Sequence, residues 1–95
     1  MDARTRYVER LSAQLVAWDN QISLLKDAVL SAAPEVAGKY AAAITALQLK
    51  RDQAAAQLQD ISVAGDHDWH ELRTGTENIW GEVRSMLHDT ITGIR

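Results

Sequence analysis

The feature that most constrains this chain is a seam of apolar residues in its first third. Val8, Leu11, Leu15, Trp18, Ile22, Leu25 and Val29 recur at alternating spacings of three and four residues. That period lays all of them along one stripe of a helix, because side chains three and four apart stand on the same face. Val8, Leu15, Ile22 and Val29 make one row of the stripe, and Leu11, Trp18 and Leu25 make the other. The spacing predicts a helix from about Thr5 to about Ala32, with Arg10, Gln14, Gln21 and Ser31 on its opposite face.

Pro34, the single proline, cannot continue that helix without losing a backbone hydrogen bond. It does suit the first position of a new one, where the missing donor has no partner anyway. A turn is therefore predicted near Ser31 to Pro34, and Glu35 places a carboxylate at the positive end of the second helix. A second seam follows: Ala37, Tyr40, Ile44, Leu47, Arg51, Ala54, Leu58 and Ile61. So short a connection makes the two helices antiparallel neighbours, and the alanines at 41–43 and 54–56 allow close approach. Arg51 sits where the pattern expects an apolar residue. Folding the chain near residue 33 sets Arg51 opposite Leu15 to Asp19, so its stem is expected in the seam and its guanidinium on Asp19 or the face of Trp18.

A third segment restarts with Trp69, Leu72, Thr76, Ile79, Val83, Met86 and Thr90, shifted by four residues from the second seam. Two readings compete between Val63 and Asp68. Gly65 could close the second helix as a left-handed cap, with Asp68 and Glu71 as a capping box for a third. Alternatively Gly65 is an interior glycine, tolerated at about 1 kcal/mol, in one helix running from Pro34 to Thr92. The fold class is all-α in either case: one domain with segments at about 5–32, 34–64 and 66–93. The expected form is a coiled-coil-like antiparallel hairpin with a long or broken second helix that assembles as an oligomeric bundle, and the alternative is a monomeric three-helix bundle.

The expectation of an oligomer comes from counting apolar faces. The first two segments can satisfy each other, whereas Trp69, Leu72, Ile79, Trp80, Val83 and Leu87 form a third face. The stripe left to cover it, Ala42, Ala43 and Ala55 with Leu24 and Leu30, is thinner. Those six residues are the expected subunit interface of a homo-oligomer. The segment also carries an echo: Trp69-His70-Glu71-Leu72-Arg73 returns eleven residues later as Trp80-Gly81-Glu82-Val83-Arg84, with a fainter copy in Ile91, Ile94 and Arg95. Eleven residues is three turns, so the two tryptophans fall on one line. Such repeats occur in straight bundles and in helices on lipid, but residues 65–95 carry six acidic and three basic side chains. That excess repels an anionic leaflet, so a membrane surface is disfavoured.

Composition excludes more than it assigns. The absence of cysteine removes disulfides, thiolate zinc and thiol chemistry. The start of the chain shows no basic cluster followed by an apolar run, and residues 40–49 fall short of the roughly 20 apolar residues that span a bilayer, so the expected location is cytoplasmic. A net charge of −3 gives no overall basic field for phosphates, so nucleic acid is not an expected partner. Asp66, His67, Asp68, His70 and Glu71 cluster in sequence, but helical geometry lets at most two of them converge, so they read as a solvated helix start and no metal or cofactor is expected. No nucleophile, oxyanion loop or phosphate cradle is visible, and no enzyme activity is expected.

The run Tyr7, Val8, Glu9, Arg10, Leu11, Ala13, Gln14, Leu15, Trp18, then Tyr40, Leu47, Lys50, Arg51, Asp52, Ala54, Leu58, and finally Trp69, Leu72, Gly75, Glu77, Trp80, Val83 resembles small bacterial coiled-coil proteins, some labelled stress-response-like. Pro34, Gly65 and Gly81 depart from that pattern. The resemblance implies a helical interaction protein and no catalytic residue. Together these readings give a structural or protein-interaction helical module, with a lipid-surface or stress-protective amphipathic protein as the alternative.

Overall fold

The computed structural model describes residues 3–94, with side chains through residue 93, so Arg95 and the side chain of Ile94 in the fainter echo lie outside the described residues. Three helices account for almost all of it: α1 (Ala3–Leu30), α2 (Pro34–Ser62) and α3 (Asp68–Ile94). They form a helical bundle measuring 50 × 20 × 17 Å, and the described residues include no strand.

The first turn follows the expected chemistry. Ala33 is extended (φ −60°, ψ 147°), Pro34 is the first helical residue and Glu35 stands in the first turn of α2. The second turn differs from both sequence readings in one respect each. The helix does not run through Gly65, because α2 ends at Ser62 and Val63 caps it at φ −102°, ψ −1°. Nor is Gly65 a left-handed cap, since no described residue has a positive φ. Its carbonyl instead accepts from the Trp69 amide at 3.0 Å to begin α3. The capping box is absent for the same reason: Asp68 already lies inside the helix, and Glu71 pairs with exposed His67 at 3.3 Å. Of the two architectures, the chain adopts the bundle with three separate helices.

Cross-helix contacts fix how the helices lie. Tyr40 donates to the Gly93 carbonyl, Lys50 meets Glu82 at 2.5 Å, and Gln57 donates to Thr76 Oγ1 at 3.1 Å, a reversed order that sets α2 and α3 in opposite directions. Tyr7 meets Trp69 and Trp18 meets Trp80 in forward order, so α1 and α3 run the same way. Tyr40 sits over Gly93 so closely that a Cβ there would lie 3.3 Å from its hydroxyl, so any side chain at this position requires the Tyr40 ring to give way slightly.

The core is the one that the seams describe. Leu11, Leu15, Trp18, Ile22 and Leu25 of α1 are buried with Ile44, Leu47, Ala54, Leu58 and Ile61 of α2, while Val8 and Val29 pack against them. Two threonines at seam positions of α3 are also buried, because their hydroxyls bond back one turn: Thr76 to Leu72 O at 2.9 Å and Thr90 to Met86 O at 2.8 Å. Arg51 behaves as expected, with its guanidinium forked on Asp19 at 2.7 and 2.8 Å. That pair pushes the Arg51 pKa above its ordinary value, chiefly through the hydrogen bonds that the guanidinium donates to Asp19.

The face expected at a subunit interface lies within the bundle. Trp69, Trp80, Val83 and Leu87 are buried inside the single chain, and Leu72 and Ile79 pack against the same core. A second chain is not needed to cover them. Leu24 and Leu30, the large residues of the thin stripe, do not supply the cover, because they are 68% and 84% exposed. It comes from α2, which packs along α3, and from Tyr7 and Trp18 of α1, whose rings meet Trp69 and Trp80.

Candidate functional site

The eleven-residue step that links Trp69 to Trp80 also links Tyr7 to Trp18. Because both helices carry it and run the same way, ring meets ring twice: Tyr7 on Trp69 with centroids 5.9 Å apart, and Trp18 on Trp80 at 5.3 Å, both tilted by about 45°. Rings of this size act as spacers. The α1 and α3 backbones stay apart where α2 lies close to both, and a groove opens along the α1/α3 boundary.

One stretch of this groove is a depression of about 470 Å³ walled by Tyr7, Arg10, Leu11 and Gln14 of α1 and by Arg73, Glu77, Trp80, Gly81 and Arg84 of α3. It continues past Trp69 toward the start of α1, where Arg6 joins Arg10 and Arg73. Four guanidinium groups thus line one groove of a chain whose net charge is −3. Among the described residues one carboxylate, Glu77, lines it with them, and it pairs with Arg73 at 3.1 Å. Among the described residues, Arg6, Arg10 and Arg84 have no carboxylate within ion-pair distance. Arg10 and Arg73 lie over the Tyr7 ring at 5.5 and 5.2 Å, where the negative ring face holds each cation.

The walls also carry unpaired polar atoms. The Tyr7 hydroxyl, the Trp80 indole nitrogen and the Gln14 side-chain oxygen are all buried without a hydrogen-bond partner. An orphaned buried group of this kind costs about 1–3 kcal/mol. All three belong to residues that line the groove. Gln14 was expected on the outer face of α1, but the widened boundary brings it inward. Burial pushes the Tyr7 pKa above its ordinary value, with help from the Glu77 carboxylate and against the Arg73 and Arg10 guanidiniums.

The groove residues other than Trp69 and Trp80 escaped the sequence reading. The signal was present, since the aromatic step of α3 recurs in α1, but it shows only when the two helices are compared. The arginines were hidden by net charge, an average that says nothing of a local cluster. The histidine and acidic cluster gathers no metal site: no group of three or more His, Asp or Glu side chains converges among the described residues, and His70 stacks on Trp69 at 4.1 Å. No described helix is long and apolar enough to cross a membrane. Comparison with family models, with curated proteins and with solved structures finds no match for this chain.

Proposed function

We propose that this chain is a three-helix protein-interaction module that works as a single chain and presents the α1/α3 groove to a partner. The observation that carries this reading is the gathering of four arginines along a groove whose floor is built from buried aromatic rings. Arginine and aromatic residues dominate the energetics of protein interfaces, because the guanidinium fork and the ring give large contact area with directional bonds. Among the described residues the two groups with shifted acidity, Tyr7 and Arg51, are both pushed upward and so held more firmly protonated, which suits binding and packing better than proton transfer.

Self-association through the tryptophan face loses its motive, since α2 together with Tyr7 and Trp18 already buries it. The lipid-surface alternative would require α3 to leave the core and expose Trp69, Trp80, Val83 and Leu87 at once. That would trade their packing in the bundle for contact with lipid, and the six acidic against three basic side chains of residues 65–95 oppose an anionic leaflet.

Site-specific photocrosslinking in cells tests the reading. Gly81 lines the groove and has open space where a Cβ would stand, whereas Leu24 is exposed on α1 and does not line the groove. A benzophenone side chain at position 81 is expected to give discrete protein adducts, and the same group at position 24 none. Equal adducts from both positions, or none from position 81, would contradict the proposal.

A further inference from the structure

Resting on the reading of the groove as a protein-binding surface, the geometry points to the chemistry of its partner: we infer that it takes an acidic helical segment, with carboxylates spaced along one face. The argument begins with how the cations are strung. Arg73 and Arg84 stand on α3 eleven residues apart, which is three turns and roughly 16 Å along the axis. Arg6 and Arg10 add a pair one turn apart on α1. A single inorganic anion reaches one or two of these guanidiniums, whereas a ligand that meets them all must be extended. A helix carrying Glu or Asp at one-turn and three-turn spacings reproduces the same intervals, and each carboxylate accepts a guanidinium fork in a bidentate pair.

The sparseness of the charge selects protein over nucleic acid. Duplex DNA carries a negative charge about every 1.7 Å and is bound by dense, uninterrupted cation arrays. Here four cations are spread along the groove and broken by Glu77, which would repel a phosphate chain yet accept a basic side chain set among a partner's carboxylates. Outside the groove the chain carries a net negative charge, which favours the approach of an acidic partner to this face over the rest of the surface taken together.

The test titrates the full chain with a synthetic helical peptide bearing Glu at these spacings on one face, read by backbone and indole nitrogen-proton spectra and by fluorescence anisotropy. Shifts are expected at Trp80 and Gly81 and along the groove. Affinity should drop at least tenfold in Arg10→Glu with Arg84→Glu, and the same peptide with Gln for Glu should not bind. Reversal of Lys26 and Lys39, basic residues that do not line the groove, should leave affinity within about twofold, the ordinary scatter for distant and independent sites. Arg84→Gln gives a milder variant should the double reversal fail to fold, and it should weaken binding with an unchanged melting curve. Three results would overturn the inference: no groove shifts with the acidic peptide, shifts that inorganic phosphate alone reproduces and saturates, or tighter binding by a single-stranded oligonucleotide of equal charge. If the peptide fails while position 81 still crosslinks to protein in cells, the partner chemistry is wrong and the module reading stands. If both fail, both fall.

Discussion

The two sides of α3 are built on opposite plans. Toward α2 the contacts are small and sealed: Ala54 and Thr76 are fully buried, and Gln57 bonds both the Thr76 hydroxyl and, at 3.4 Å, the Leu72 carbonyl. Toward α1 the contacts are two aromatic pairs, and the polar atoms of Tyr7, Trp80 and Gln14 are left without partners. Small residues let backbones approach and leave little to satisfy, whereas large rings hold them apart and leave a groove with orphaned polar atoms. A three-helix bundle need not be equally closed on all sides, and its least closed boundary is where charge has gathered.

The largest effect expected from this contrast is at Trp80. Trp80→Ala removes the more buried ring of the Trp18 pair, 1% exposed, and should cost about 3–5 kcal/mol in chemical denaturation. A loss below about 1 kcal/mol, the ordinary effect of a point substitution, would show that the rings do not hold α1 and α3 together. On the sealed side the sensitive change is the opposite one. Ala54→Leu adds volume where none of Ala54 is exposed and should cost about 1–3 kcal/mol, and a neutral result would mean that the α2 seam is not tightly packed.

Tyr7 sharpens the comparison because its hydroxyl is one of the orphans. Tyr7→Phe keeps the ring and removes a buried hydroxyl that makes no well-formed hydrogen bond, so stability at neutral pH should change by no more than about 1 kcal/mol. The pKa shift adds a pH signature. A folded-state value raised above the ordinary tyrosine value of about 10 means that the contribution of Tyr7 is fully present below that pH and is lost as pH climbs through the raised value. Tyr7→Phe should flatten this part of the alkaline limb in urea titrations at stepped pH, and a steeper limb would contradict the assignment. The smallest effect is expected at Arg51. Its partner Asp19 is 47% exposed, so solvent screens the pair, and Arg51→Met should change stability by no more than about 1 kcal/mol in either direction. A larger loss in a thermal melt would place the pair among the main supports of the fold.

Much of the bundle was legible because heptad spacing is a direct record of burial. The seams from Leu11 to Leu25 and from Ile44 to Ile61 are buried as read, and Pro34 begins α2 as its missing amide requires. The turn at 63–67 was harder, since Gly65 serves an interior position, a left-handed cap or a plain turn, and sequence spacing does not choose among them. The third helix was read correctly as a face and wrongly as uncovered. A seam counts each residue once, on one stripe, whereas Trp18 is large enough to fill the α1 seam and reach Trp80 as well. The candidate groove was the least legible part, because it depends on which residues of α1 and α3 share a level, and that register exists only after the chain has turned twice.

The central claim is that α3 lies beside α1 of its own chain, ring against ring. Proton NOE spectra recorded on a mixture of isotope-labelled and unlabelled protein test it most directly, because filtering separates contacts within a chain from contacts between chains. At centroid distances of 5.3 and 5.9 Å, cross-peaks between the Trp18 and Trp80 indoles and between Tyr7 and Trp69 are expected within one chain, with intensities independent of protein concentration. The same cross-peaks appearing only in the interchain-filtered spectrum would put the tryptophan face at a subunit interface and contradict the account.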